Sequence, residues 1–149
     1  MPSHYSGKGA AAVGTDKTIL ALLSSTSVRP SLKSFTVSFG GTPGDISTIL
    51  LLMRLTAVGT EGNGFTPTAL DPADPAAVAD YAAAHSAEPT YTANSELWDA
   101  ALNQRATFRH VCEPGAEFVV PASANNGIGL KSSSSTGTPT GRVSMIHFE

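Results

Sequence analysis

Between residues 34 and 39 the chain alternates strictly. Phe35, Val37 and Phe39 are apolar, and Ser34, Thr36 and Ser38 carry hydroxyls. A period of two places successive side chains on opposite faces of an extended strand, so one face is buried and the other hydroxylated. Such a strand must pack its apolar face against a second layer. Gly40-Gly41-Thr42-Pro43-Gly44 ends the run. Glycine supplies positive φ and proline cannot donate to a ladder, so the chain turns there.

The same period returns twice. Ala106, Phe108, His110 and Cys112 alternate with Thr107, Arg109 and Val111; near the end, Val143, Met145 and His147 share one face, and Ile146 and Phe148 the other. Thr18–Leu23, Phe65–Leu70, Glu117–Val120 and Ile128–Lys131 are shorter candidate strands, separated by Gly59–Gly64, Glu113-Pro114-Gly115 and Asn125-Asn126-Gly127. The apolar run within Ile46–Leu55 predicts a strand covered on both sides or a short buried helix, and its β-branched start favours the strand. Asp71–Pro89, rich in Ala and Pro, reads as a surface excursion with one or two helical turns. Leu97–Leu102 fits either a short helix or an irregular strand. About eight short strands with regular turn signals predict an all-β, single-domain antiparallel β-sandwich or small barrel over residues 18–149. The chain's 149 residues suffice to bury a core of this kind.

Residues 1–17 are small and polar, with no hydrophobic period, and are expected to form a flexible N-terminal arm. The arm either frays or orders against a neighbouring subunit or shell. His4, Tyr5, Lys8 and Lys17 are its candidate contact residues.

Composition narrows the function. Nine basic and twelve acidic residues give a net charge of −3, and no run of Lys or Arg occurs. Nucleic-acid binding is therefore not expected. The longest apolar run, Ile49–Met53, is far too short for a membrane helix, and no signal peptide is read at the N-terminus. Production in a cytoplasm is expected. Cys112 is the only cysteine, so no intramolecular disulfide or multi-cysteine metal site can form.

Catalytic patterns are weak. His110 and Cys112 share a strand face about 6–7 Å apart, beyond hydrogen-bond reach. His110 and His147 lie on separate strands that a sheet could bring together, but no His-x-x-x-His or Gly-x-Ser-x-Gly pattern is present. No catalytic, metal or cofactor site is expected. Tyr91 and Trp98 flank the irregular region; core packing is the favoured reading, and an exposed position would make them interface anchors or ligand-contacting aromatics.

Several segments together carry a resemblance. They are Leu70-Asp71-Pro72-Ala73-Asp74-Pro75, Glu88-Pro89-Thr90-Tyr91-Thr92, Leu102-Asn103-Gln104-Arg105-Ala106-Thr107-Phe108-Arg109 and Ala124-Asn125-Asn126-Gly127-Ile128-Gly129-Leu130, with the closing Val143–Phe148. In these the chain resembles capsid decoration, or cement, proteins of jelly-roll type from tailed bacteriophages, over residues 18–149. The resemblance implies two face-to-face antiparallel sheets. It implies a homotrimer on the outside of an icosahedral head, the major capsid protein as partner, and a role in stabilising the shell. No catalytic motif is implied. The competing expectation is a jelly-roll ligand-binding module for carbohydrate or a receptor, with Trp98 or Tyr91 beside a groove. An enzyme of cupin or esterase type would need a histidine–carboxylate cluster or an activated nucleophile, neither of which the sequence offers.

Overall fold

The computed structural model describes residues 2–149. Among them every regular element is a strand, and the strands form two antiparallel sheets. In sheet A, β1 (His4–Ala12), β3 (Ser31–Gly40) and β12 (Thr140–Phe148) form the centre, with β12 between the other two. β6 (Thr68–Ala69) borders β1, while β9 (Phe108–Val111) and β10 (Phe118–Val119) share the outer edge of β3. In sheet B the order is β5 (Asn63–Phe65), β7 (Asp80–Ala83), β2 (Lys17–Leu23), β11 (Gly127–Ser135), β4 (Ser47–Ala57) and β8 (Thr90–Asn103).

Four nested pairs explain the order: β1 with β12, β2 with β11, β3 with β9, and β4 with β8. The chain is in effect one long hairpin rolled up, which is jelly-roll connectivity. β5, β6 and β7 belong to an excursion between β4 and β8. The expected sandwich is thus the observed architecture.

The core lies between the sheets. Phe35 and Val37 from β3, and Val143 and Met145 from β12, face Leu20, Leu22, Leu50, Leu52, Ile128 and Leu130 from sheet B. The alternation read from the sequence therefore points inward as expected. In β2 the register places both Ile19 and Leu20 inside, because Leu20 pairs with Leu130 while Lys131 pairs with Thr18. The extra residue is a β-bulge that adds one more apolar side chain to the core.

Three expectations need correction. Met1, the first residue of the expected arm, lies outside the described residues. His4–Ala12 is not a flexible arm: it is a strand whose nine residues pair in register with β12. Its small residues are the reason it can pack. A Cβ on Gly7 would overlap the Tyr81 ring, so only glycine lets sheet B approach this closely. Second, residues 71–89 contain no helical turn; Leu97–Leu102, read as a short helix or an irregular strand, lies in the long, irregular edge strand Thr90–Asn103, so there the strand alternative holds. Too few large apolar residues were available to hold a helix over 71–89. Third, β4 is covered on both sides only in its second half. Leu50 and Leu52 are buried inward, whereas outward-facing Ile49 is 41% exposed. Among the described residues no helix is long and apolar enough to cross a membrane.

Candidate functional site

The outer faces of the two sheets differ, and the candidate site follows from that difference. On sheet B the segments 58–62 and 84–89, which lead into and out of the excursion, cross the outside of the sheet together. They are joined by the Thr60–Ala87 bridge. Beneath them Ala21, Leu55 and Ala82 form a small second cluster with Leu23, Val58 and Tyr91. Tyr91 lies over Gly129, where a Cβ would strike its hydroxyl. Its Oη is 2.8 Å from Thr18 Oγ1, and Lys131 Nζ stands 5.0 Å from the ring centre. Glu88 fastens the same crossing by accepting from Thr18 N at 2.8 Å and pairing with Lys17 at 3.4 Å.

Sheet A has no such cover. Lys8, Ser144, Thr36 and Arg109 lie opposite one another on β1, β12, β3 and β9, forming one row across four strands. The next row holds Ala10, Arg142 and Ser38. Lys8, Arg142, Thr36, Ser38 and Ser144 line a shallow depression of about 400 Å³. Lys8, Arg109 and Arg142 are exposed, and among the described residues none of them forms an ion pair; the pairs present are Lys17–Glu88, Lys131–Asp16 and His147–Glu149. No carboxylate occurs at the outward positions of β1, β3, β9 and β12.

The other sequence candidates are dispersed. Tyr5 is buried, stacks on His147 at 5.5 Å and donates to the Pro75 carbonyl at 3.2 Å. His4 stacks loosely on Phe148 at 5.8 Å. Of the four arm candidates, Lys8 and His4 share the outward face of β1, His4 at the end bordered by Asp71 and Asp74; Lys17 belongs to the crossing on sheet B. Trp98 faces inward, edge-on to Phe35 at 5.1 Å and stacked on Phe108 at 5.4 Å. With His110 and Phe118 it closes one flank of the sandwich. Tyr91 and Trp98 are therefore both packing residues and do not border a common groove.

His110 and His147 are not brought together. His147 is fully buried, with Nδ1 2.9 Å from Tyr81 Oη and Nε2 3.3 Å from Glu149 Oε1. Glu149 also accepts from Ala79 N at 2.8 Å and Val78 N at 3.0 Å. The arrangement is consistent with a neutral imidazole that accepts from Tyr81 and donates to Glu149. Burial holds the imidazole below its usual pKa, opposed by the hydrogen bond and charge of Glu149. Burial also raises the Tyr81 hydroxyl far above its ordinary range, with Glu149 adding to the effect. This chain of groups is a buried tie between β7 and β12 rather than an accessible triad. Cys112 is buried too, its thiol 3.5 Å from the Leu32 carbonyl and raised in pKa by burial. Among the described residues no three His, Cys, Asp or Glu side chains converge as a metal site would require.

Sequence reasoning missed Arg109, Arg142 and the anchoring role of Gln104. Gln104 is 1% exposed and holds the Gly44, Thr48 and Thr136 segments through its amide. The first two had a readable signal, since each falls in an alternating run opposite apolar neighbours. No family model, curated protein or solved structure matches the chain.

Proposed function

We propose that this chain is a structural virion protein, a capsid decoration or cement protein that binds the outside of a phage head and stabilises the shell. The observation that carries this reading is the bare outer face of sheet A. Its polar part is set on four paired strands and lined by Lys8, Arg109, Arg142 and hydroxyls. A rigid, open sheet face suits docking to another folded surface better than enclosing a small ligand. The partner in this reading is the major capsid protein, the decorating unit is a homotrimer, and the site of action is the virion surface after synthesis in the host cytoplasm. The ligand-binding alternative loses its aromatic platform, since Tyr91 and Trp98 are engaged in packing.

The test is co-sedimentation of the purified chain with empty phage heads assembled from a major capsid protein. Saturable binding and a raised disassembly temperature are expected. Heads that bind none of the protein, at any ratio, would rule the reading out. Light scattering supplies the companion value: a mass of about three times 15.3 kDa is expected for the trimer.

A further inference from the structure

We infer that the partner surface received by the open face of sheet A is an acidic protein surface, whose carboxylates engage Lys8, Arg109 and Arg142. This rests on the docking reading above and adds the chemistry of the partner.

The geometry selects the ligand class. Lys8 and Arg109 end one row and are three strand spacings apart, about 14 Å. Between them stand Ser144 and Thr36, which can donate to carboxylate oxygens or accept from a partner's backbone. Arg142 lies diagonal to Lys8 across the β1–β12 pair, at roughly 7 Å, and its Nε rests 3.5 Å from the position a Cβ would take on Gly40. Its guanidinium stem therefore lies along the sheet and presents a planar fork of the kind that binds carboxylates in pairs. Asp71 and Asp74 border a different hollow, with His4 and Lys33, and leave these three cations unneutralised.

A nucleic acid fits less well. The chain carries a net charge of −3 and no run of Lys or Arg, so three cations would neutralise few of the phosphates that drive such binding. The two rows also contain no aromatic side chain on which a base could stack. The complementarity is electrostatic, so it sets the association rate and its salt dependence as well as the affinity.

The test compares the full chain with the triple variant Lys8→Glu/Arg109→Glu/Arg142→Glu, after circular dichroism and melting have shown that both are folded. Binding to empty heads is measured at 50 mM and 500 mM salt. The expected result is a loss of at least about ten-fold in affinity for the variant at low salt, and a fall for the parent at high salt. If the parent binds and the variant binds equally well, the acidic-partner inference is overturned and the docking reading survives. If the parent binds no heads, the docking reading fails, and a fluorescent deca-glutamate peptide then decides the inference alone: face-dependent binding sustains it, and no binding overturns it. A ten-nucleotide oligo-dT or a sulfated decasaccharide bound as tightly as the peptide, or more tightly, would also overturn it.

Discussion

The outer face of sheet B is closed by its own chain, whereas that of sheet A is left bare. On sheet B the crossing segments bury Leu55, Ala21 and Ala82, and Tyr91 is tied to Thr18. On sheet A the rows from Lys8 to Arg109 and from Ala10 to Ser38 are cationic and hydroxylated, while Ile146, Phe148 and the exposed Val111 make the other end of the face more apolar. A sheet needs only one buried face to be stable. The second face is therefore free to be covered by the same chain, as in sheet B, or to meet something else. The polar rows of sheet A would be costly to bury against apolar residues, because their hydroxyls and cations would lose water without partners. They suit a partner that brings its own hydrogen bonds and charges.

Neighbouring residues on β1 give the sharpest way to break this comparison. Gly7→Val drives a Cβ and two methyl groups into the Tyr81 ring and is expected to destabilise the fold by about 3 kcal/mol, read as a lower urea midpoint. A midpoint within error of the parent would mean that β1 does not pack tightly against Tyr81 of sheet B. Tyr91→Ala tests the cover on sheet B. It removes the lid over Gly129 and the hydrogen bond to Thr18, with an expected cost of about 2 kcal/mol. A melting temperature unchanged by this substitution would deny the crossing any part in stability.

The third effect is pH-dependent. His147 has its pKa lowered in the fold, first by burial, so the unfolded state binds the proton more readily. Stability from this group is complete above the unfolded value of about 6.5 and is lost as pH falls from there toward the lower folded value. The slope is at most about 1.4 kcal/mol per pH unit. Urea midpoints at pH 7.5, 6.5 and 5.5 should fall in that order, and His147→Gln should flatten the trend. His85 is shifted the same way, by burial against the opposing charges of Glu88 and Glu61, so His85→Asn separates its share. A midpoint that rises on acidification would contradict the assignment.

The smallest effect is expected on sheet A. Lys8→Ala together with Arg142→Ala should change stability by less than about 0.5 kcal/mol, because neither residue has an ion-pair partner to lose. A larger loss in the melting curve would show that the open face works for the fold rather than for a partner.

Much of the fold was legible because alternation is a local signal. Phe35, Val37, Val143 and Met145 announce their inward face within six-residue windows, and the turn clusters mark the strand ends. The β1 strand escaped for the opposite reason. Gly7 and Gly9 carry no side chain to show a period, and their purpose appears only when Tyr81 and Leu20 from the other sheet are placed against them. Thr90–Asn103 is broken by shifts in register that blur its alternation. The site was legible in part. Lys8 was singled out as a contact residue, though as part of an arm. Its juxtaposition with Arg109 and Arg142 depends on pairing between residues more than 70 positions apart in the chain, which no local pattern encodes. Tyr91 and Trp98 were noticed as aromatics, but aromatic identity alone does not tell a packing residue from an anchor.

Amine labelling of the head-bound protein tests the central claim most directly. Lys8 stands on the bare face and Lys17 at the covered one, so a single peptide map reads both. The account predicts that Lys8 becomes protected when the protein binds heads, while Lys17 reacts as it does in the free protein. Protection of Lys17 with Lys8 reacting at its free rate would contradict it and move the docking surface to sheet B.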